Sequence, residues 1–595
     1  MTDNDPGLFF AEDGAPRSAR FGDIYYSLQD GLAESRTVFL GGCHLPQAWH
    51  GRERFTVLEL GFGTGLNIAA LLQLWTADRP AGQTLHIFSI EGFLMDAAAA
   101  GQALAAWPEL APFAQALLAQ WPAQRLGFHH MDFPQWGVSL TLALCDVAAA
   151  LTAWQGAADA VFLDGFSPAL NAQMWSEEVL ALVGRRCEPG ARLATFTVAG
   201  AVRRGLQAAG FAVEKCPGFG RKRERLEAVF TLAHAGSRTE DASARTARRP
   251  IRRIAVVGAG IAGCALVWQA GLLGLEVDLF DAVGEGAGAS GNAAALVTPR
   301  LDAGDNAISA LFADAYAYAG ALYRRLCAQA IIGEGLSQVA AGPRDVSRFA
   351  RIARQTIFAP DDLESFAAGD EPDAPGEAGI HINRALWVRP QAVLEALLQG
   401  KRVQVRRVSE MPQGYDAVIL ACGEGIFDFP DMLGRFELGP VRGQVEFAAA
   451  IEGPRRALSW GAYAVPLGPN EGLLFGATHD RGDRGVEVRE IDRVRNLESL
   501  ARIMPHQAAE IQPAALQSRA SIRVTTRDYL PAMGEVAPGV HVLTGLGARG
   551  FCLAPLLAKA LLADLTGAPQ PLPAAAQNLL NICRLATDLT MSKRS

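Results

Sequence analysis

The chain has 595 residues, 50% of them hydrophobic and 19% charged, with 62 glycines. Single cores rarely grow past about 250–300 residues, so more than one domain is implied, and the composition excludes a disordered chain, a collagen and a coiled coil. Lys+Arg is 54 against 62 Asp+Glu, a net charge of −8; this excludes wholesale polyanion binding and confines any nucleic-acid contact to a local patch.

The first residues, Met1 to Pro6, carry Asp3 and Asp5 and no basic lead-in, unlike a signal or transit peptide. The nine cysteines form no CxxC pair, as expected of reduced thiols in a cytoplasmic protein. A monomer is expected. Ile254 to Leu275 is an uncharged run of 22 residues, long enough to cross a bilayer. Its five glycines and its glutamine favour a buried strand turning into a buried helix instead.

The first chemical signal is the strand Phe55 to Leu60, then Gly61-Phe62-Gly63-Thr64-Gly65-Leu66-Asn67, then a helical run from Ile68 to Leu74. Glycines at alternate positions let backbone approach a ligand closely, and a helix N-terminus offers free N–H groups. Glu59 before the turn suits a ligand with an amino group, such as the methionine part of S-adenosylmethionine, and would repel a pyrophosphate. The strand Leu85 to Ile90 ends in Glu91, placed for ribose hydroxyls. Leu140 to Leu144 leads to Asp146, a candidate for the adenine amino group or, alternatively, a helix N-cap. Ala160 to Leu163 leads into Asp164-Gly165-Phe166-Ser167-Pro168. This order resembles the class I S-adenosylmethionine-dependent methyltransferases. The cofactor set is then Glu59, Gly61, Gly63, Gly65, Asn67, Glu91 and Asp146. Asp164 is the candidate that holds and deprotonates an amine, its alternative being a turn-forming residue. His129-His130 lacks partners at metal-ligand spacing, so no metal is expected. Lys215, Arg221, Lys222, Arg223 and Arg225 form a basic cluster, either a solvated face or a phosphate-contacting patch.

Thr231 to Pro250 has no apolar periodicity after Ala233 and reads as an exposed linker. The expected division is residues 1–235, a linker over 236–250, and 251–595. The second part opens with Ile254 to Val257, then Gly258-Ala259-Gly260-Ile261-Ala262-Gly263, a helix to Leu273, and a strand from Leu275 to Phe280 ending at Asp281, 23 residues after Gly258. Strand, GxGxxG, helix and acid together make a full dinucleotide fingerprint. Ser290, in a second small-residue segment, and Gly547 and Gly550, in a late turn after the strand His541 to Thr544, are further cofactor candidates. This arrangement resembles the FAD-dependent amine oxidases of the glycine oxidase and D-amino acid oxidase group. That likeness assigns Arg523 and Arg549 to gripping a substrate carboxylate; solvated surface charge is the alternative for each. Cys552 reads as packing.

The two halves together resemble the family of bifunctional tRNA 5-methylaminomethyl-2-thiouridine biosynthesis enzymes. The likeness rests on Pro16 to Ser27, Asp30 to Gly42, LELGFGTGLN at Leu58 to Asn67, DGFSPALNAQMW at Asp164 to Trp175, RKRERLEAVF at Arg221 to Phe230, PVRGQV at Pro440 to Val445 and GARGFCLAPL at Gly547 to Leu556. Gly92 and the Arg-rich linker depart from it. The resemblance implies an α/β protein: a Rossmann-like class I methyltransferase domain, then an FAD domain with a mixed-sheet substrate part. It implies FAD and S-adenosylmethionine as cofactors and tRNA as partner, met at the anticodon loop through the basic cluster. The implied work is oxidative removal of the carboxymethyl group from 5-carboxymethylaminomethyl-2-thiouridine, with glyoxylate leaving, then methylation of the freed amine. A fusion of a small-molecule amine methyltransferase with a glycine or sarcosine oxidase is the competing reading, and a flavin domain that only docks tRNA is a third.

Overall fold

A computed structural model describes residues 7–11, 16–26, 30–79, 82–220, 222–231, 250–304, 306–449 and 451–587. The linker reading over 236–250 therefore falls outside the described residues except at Pro250. The chain divides into two compact units, Met1–Pro250 with Ala563–Ala574, and Ile251–Leu562 with Ala575–Ser595.

The first unit is built on an eight-stranded sheet. Its order is Phe211–Pro217, Glu224–Phe230, Cys187–Thr195, Ala158–Leu163, Arg54–Leu60, Thr84–Glu91, Val138–Leu144, Gly127–Phe133. The five central strands run parallel. Four of them, Arg54–Leu60, Thr84–Glu91, Val138–Leu144 and Ala158–Leu163, are buried on both faces, which is why they read as largely apolar runs, whereas Cys187–Thr195 is partly exposed in its first half. Side chains alternate between the faces: Phe55 and Val57 join one core cluster with Leu85 and Ile87, whereas Leu58 and Leu60 join the other with Phe88 and Ile90. The helix Leu66–Asp78 packs Leu66, the residues from Ile68 to Leu72 and Trp75 into the first cluster. The edge strand Gly127–Phe133 carries the two histidines, both buried: the His129 ring bonds the Arg125 carbonyl at 2.9 Å, and His130 Nδ1 lies 3.1 Å from Thr141 Oγ1.

The second unit holds two sheets. One has the order Val403–Val405, Glu276–Asp281, Arg253–Val257, Ala417–Leu420, Val540–Thr544, Ala532–Ala537, parallel except at the last pairing. The uncharged run resolves into its strand Arg253–Val257 and the helix Ile261–Leu272, whose residues from Ile261 to Ala270 are all buried. Among the described residues no helix is long and apolar enough to cross a membrane. The other sheet is mixed, with ten strands. Its long pair, Leu438–Ala448 against Gln517–Thr526, is locked from behind by a buried polar network. Arg442, fully buried, pairs with Asp492 and donates to the Glu487 carbonyl at 2.6 Å, and Gln444 donates to Glu446 at 2.9 Å. Removing one partner of such a buried pair costs about 3–5 kcal/mol, so the PVRGQV segment is a rigid backing for the strand that carries Arg523.

Candidate active sites

The first unit opens a cavity of about 870 Å³ at the carboxyl ends of its central strands, where open α/β sheets bind ligands. Gly61, Gly63, Asn67, Glu91, Asp146 and Asp164 line it. The turn needs glycine: Gly61, Gly63 and Gly65 have φ of 94°, 52° and 78°, and a Cβ on Gly61 would stand 2.7 Å from the Asp164 carbonyl oxygen. Glu59 and Gly65 lie behind the wall. Strand alternation turns Glu59 onto the face of Phe55 and Val57, where it is fully buried and accepts from the Ser89 hydroxyl at 2.5 Å. Burial, followed by the charge of Asp164, lifts its pKa to about 8.

The carboxylates that do reach the cavity are partly committed. Glu91 accepts one backbone N–H on each oxygen, from Gly63 at 2.9 Å and Phe93 at 2.8 Å. A carboxylate has about four acceptor sites, so both oxygens keep capacity for a ribose diol. Asp146 is a helix N-cap, accepting from Ala148 and Ala149 at 3.0 Å each, and it also receives Gln173 Nε2 at 3.2 Å. Asp164 accepts the Gly165 N–H at 2.8 Å on one oxygen and Asn67 Nδ2 at 2.8 Å on the other. Burial raises its pKa to about 7, the Asn67 bond opposing the rise. Such a carboxylate is poised near neutrality, as a general base should be.

Sequence reasoning missed the aromatic side of this cavity. Phe166 stacks on Phe21 at 4.7 Å and meets Tyr25 edge-on at 5.1 Å. Asp23 Oδ2 accepts the Ser167 N–H at 2.8 Å, fastening the N-terminal segment to the DGFSP loop. Glycine flanking and alternating apolar residues do not encode that contact; only the likeness at Pro16 to Ser27 hinted at it. The basic cluster is largely paired: Lys215 with Glu224 at 2.7 Å, Lys222 with Glu34 at 3.0 Å, Arg225 with Glu227 at 2.6 Å. Lys222 also sits over the Phe196 ring at 4.0 Å and lines the cavity. Arg223 is exposed, and Arg221 lies outside the described residues.

The second unit has a cavity of about 950 Å³. Gly258, Gly260, Asp281, Ser290, Gly547, Gly550, Arg523 and Arg549 all line it. Gly263 does not; a Cβ there would fall 1.8 Å from the Gly258 carbonyl oxygen, so its role is close helix–strand packing. A Cβ on Gly258 (φ 109°) would meet the Ala421 carbonyl oxygen at 2.4 Å. Asp281 accepts from Ala259 at 2.8 Å and from Val283 and Gly284 at 2.9 Å, which leaves room for one ligand hydroxyl. Ser290 Oγ accepts the Ile261 N–H at 3.0 Å. The residues fit a dinucleotide: the glycine cradle would be filled by any Cβ, and two buried polar atoms in the wall, Thr544 Oγ1 and Arg549 Nε, have no hydrogen-bond partner among the described residues.

At the wall formed by the mixed sheet, Arg523 donates, among the described residues, only to the Thr478 carbonyl, at 3.1 Å. Burial lowers the pKa of both Arg523 and Arg549. Neither makes an ion pair with a carboxylate among the described residues, although the charge of Asp480 opposes part of the fall at Arg523, so two cations without a salt bridge face one cavity. Tyr463 and His479 line the same cavity and were not foreseen. Burial and the charges of Arg523 and Arg481 hold His479 below its ordinary pKa. Both lie in the mixed sheet and its loop, with no motif to mark them. Cys552 is fully buried, and burial pushes its thiol up to about 12, consistent with packing.

Residues 108–231 match the family model for S-adenosyl-L-methionine-dependent methyltransferase, and residues 253–565 match that for FAD dependent oxidoreductase. The chain is 48% identical over 594 residues to a tRNA 5-methylaminomethyl-2-thiouridine biosynthesis bifunctional protein MnmC of Caulobacter sp. (strain K31), covering 95% of each. It is 47% identical over 610 residues to the protein of that name from Caulobacter vibrioides, covering 100% of each. Among solved structures, iminodiacetate oxidase from Chelativorans sp. BNC1 aligns with a TM-score of 0.47 and 20% identity, covering 54% of this chain and 97% of that one.

Proposed function

The chain belongs to the family of bifunctional tRNA 5-methylaminomethyl-2-thiouridine biosynthesis proteins, and from that membership we infer that it performs two successive reactions on the wobble uridine of tRNA. The enzyme unites an FAD-dependent oxidoreductase and an S-adenosylmethionine-dependent methyltransferase. We assign residues 1–235 to the methyltransferase domain, 236–250 to a linker and 251–595 to the oxidoreductase domain, acting in the cytoplasm.

In the oxidoreductase domain the substrate is the carboxymethylaminomethyl group, chemically an N-substituted glycine. Arg523 and Arg549 hold its carboxylate and so orient the N–CH₂ bond. FAD held there would supply the hydride acceptor for that carbon, and hydrolysis of the oxidised C–N bond would release glyoxylate and leave a primary amine. Gly258, Gly260 and Asp281 hold the adenylate end of the cofactor, and Ser290, Gly547 and Gly550 give it close backbone approach.

In the methyltransferase domain S-adenosylmethionine supplies the methyl group. Glu91 receives its ribose, Asp146 its adenine amino group, and the Gly61–Gly63 turn its backbone approach. Asp164 accepts a proton from the substrate ammonium, freeing the lone pair for attack on the methyl carbon. Asn67 fixes the carboxylate while it does so. Glu59 acts from beneath the wall rather than by touching the donor. With Lys215, Lys222 and Arg225 already ion-paired, phosphate contact at this face rests on Arg223 and Arg221.

One observation carries the substrate class: two arginines that make no ion pair with a carboxylate among the described residues face the cavity that also holds the dinucleotide turn. The test is mass spectrometry of the wobble nucleoside after incubation with tRNA bearing the carboxymethylaminomethyl group. Without S-adenosylmethionine the aminomethyl form should accumulate, and with it the methylaminomethyl form. An unchanged nucleoside, alongside turnover of free glycine or sarcosine, would contradict the reading.

A further inference from the structure

The segment that follows Asp281 reads GEGAGASGN over residues 284–292. It has no regular secondary structure, and Ala287, Gly288, Ala289, Ser290 and Asn292 line the oxidoreductase cavity. Small residues permit close approach of a ligand, but they supply few side chains to hold the segment still, and ordering an unfixed backbone on binding costs conformational entropy. Three ties come from the glycine turn and its acid: Asp281 accepts from Gly284, Ser290 accepts from Ile261, and Gly286 donates to the Ala259 carbonyl at 3.0 Å, while Gln391 reaches Glu285 at 3.4 Å.

The stretch from Ala287 to Asn292 is held besides by a strand more than 200 residues later. Arg519, on Gln517–Thr526, donates from Nη2 to the carbonyls of Ala287 at 2.9 Å and Gly288 at 2.5 Å, and from Nη1 to Asn292 Oδ1 at 2.8 Å. Glycine at 291 makes room, since a Cβ there would lie 3.0 Å from Arg519 Nη2 and 2.1 Å from the Gly286 carbonyl oxygen. Among the described residues no carboxylate pairs with Arg519. Its charge therefore stays beside a segment positioned to run along an anionic cofactor.

We propose that Arg519 is a positioning residue for FAD: its guanidinium clamps residues 284–292 in the cofactor-binding shape and adds positive charge beside the pyrophosphate. The inference rests on the flavin reading of this cavity. A planar fork can span three acceptors, whereas a lysine ammonium keeps the charge without the reach.

The test strips flavin from the full chain and titrates FAD back, reading the quenching of flavin fluorescence. Arg519→Met should raise the FAD Kd by about 10- to 100-fold, with Arg519→Lys in between and closer to wild type at low salt. The thermal transition of the flavin-free protein should move little. If Arg519→Met does not fold, Asn292→Ala, which deletes one acceptor of the clamp, should weaken FAD by about 3- to 10-fold. Wild-type FAD affinity in Arg519→Met, or in Asn292→Ala where only that variant folds, would overturn the proposal, as would a lowered thermal transition with an unchanged Kd. A wild-type chain that takes up no FAD would instead sink the flavin reading itself.

Discussion

The two cavities are entered by the same construction, a buried strand, a glycine turn and a buried helix, yet their walls carry opposite charge. The first presents Asp23, Glu34, Glu91, Asp146 and Asp164, with Lys222 as a cation. The second presents Arg406, Arg407, Arg523 and Arg549 beside Asp281, Glu424 and Asp428. An acidic wall suits a sulfonium donor and an ammonium acceptor; a basic wall suits a pyrophosphate and a carboxylate. The scaffold brings the ligand to the strand ends, and the side chains that follow the turn decide which ligand it is.

The sharpest way to break the contrast is to fill one turn and spare the other. Gly260→Val places branched carbon where the pyrophosphate backbone would pass, near Ser290 Oγ. The purified protein should be colourless, with FAD affinity down by on the order of 100-fold or more, while methyl transfer to an aminomethyl tRNA continues. Absorbance at the flavin band checks it. Next in size is Asp164→Ala. It should lower methylation by on the order of 10²-fold and leave S-adenosylmethionine binding, read by calorimetry, almost unchanged. Loss of donor binding in parallel would move Asp164 from proton acceptor to cofactor ligand. Arg549→Met and Arg523→Met should each leave the protein yellow and slow anaerobic flavin reduction by the carboxymethyl substrate by about 10- to 100-fold, the worth of one charge-assisted bond of roughly 1.5–3 kcal/mol.

How far these sites could be read from sequence differs in an instructive way. Strands and helices around both turns were legible because apolar runs and glycines are local signals: the strand expected over Phe55 to Leu60 spans Arg54–Leu60, and the helix expected to reach Leu273 ends at Leu272. Glu59 shows the limit. Its place before the turn is visible, but whether it faces ligand or core depends on strand alternation, and alternation turns it under the helix. The basic cluster shows another, because Glu34 neutralises Lys222 from far along the chain and Glu224, within the cluster, meets Lys215 only through the pairing of two strands. Tyr463, His479 and Arg519 arrive through long-range pairing in the mixed sheet, which no local pattern reports.

A smaller effect separates the units by pH. Asp164 must be ionised to accept a proton, so methylation should rise with pH through about 7. The same raised pKa values make the native state bind more protons than the unfolded chain between about pH 4 and pH 8. Stability conferred by these neutral carboxyls is full below the unfolded value near about 4 and falls as pH rises through about 7 for Asp164 and about 8 for Glu59. Glu59→Gln should flatten that slope in denaturant titrations of the methyltransferase unit, and an unchanged slope would show that its carboxyl titrates normally.

The central claim, two sites working in order on one nucleoside, is met most directly by comparing the wobble nucleosides left by two variants. Carboxymethylaminomethyl tRNA is incubated with S-adenosylmethionine and either Arg549→Met or Asp164→Ala, then digested and weighed by mass spectrometry. Arg549→Met should leave the carboxymethylaminomethyl nucleoside, and Asp164→Ala should accumulate the aminomethyl nucleoside. The same nucleoside from both variants, or methylated product from Asp164→Ala at the wild-type rate, would contradict the account.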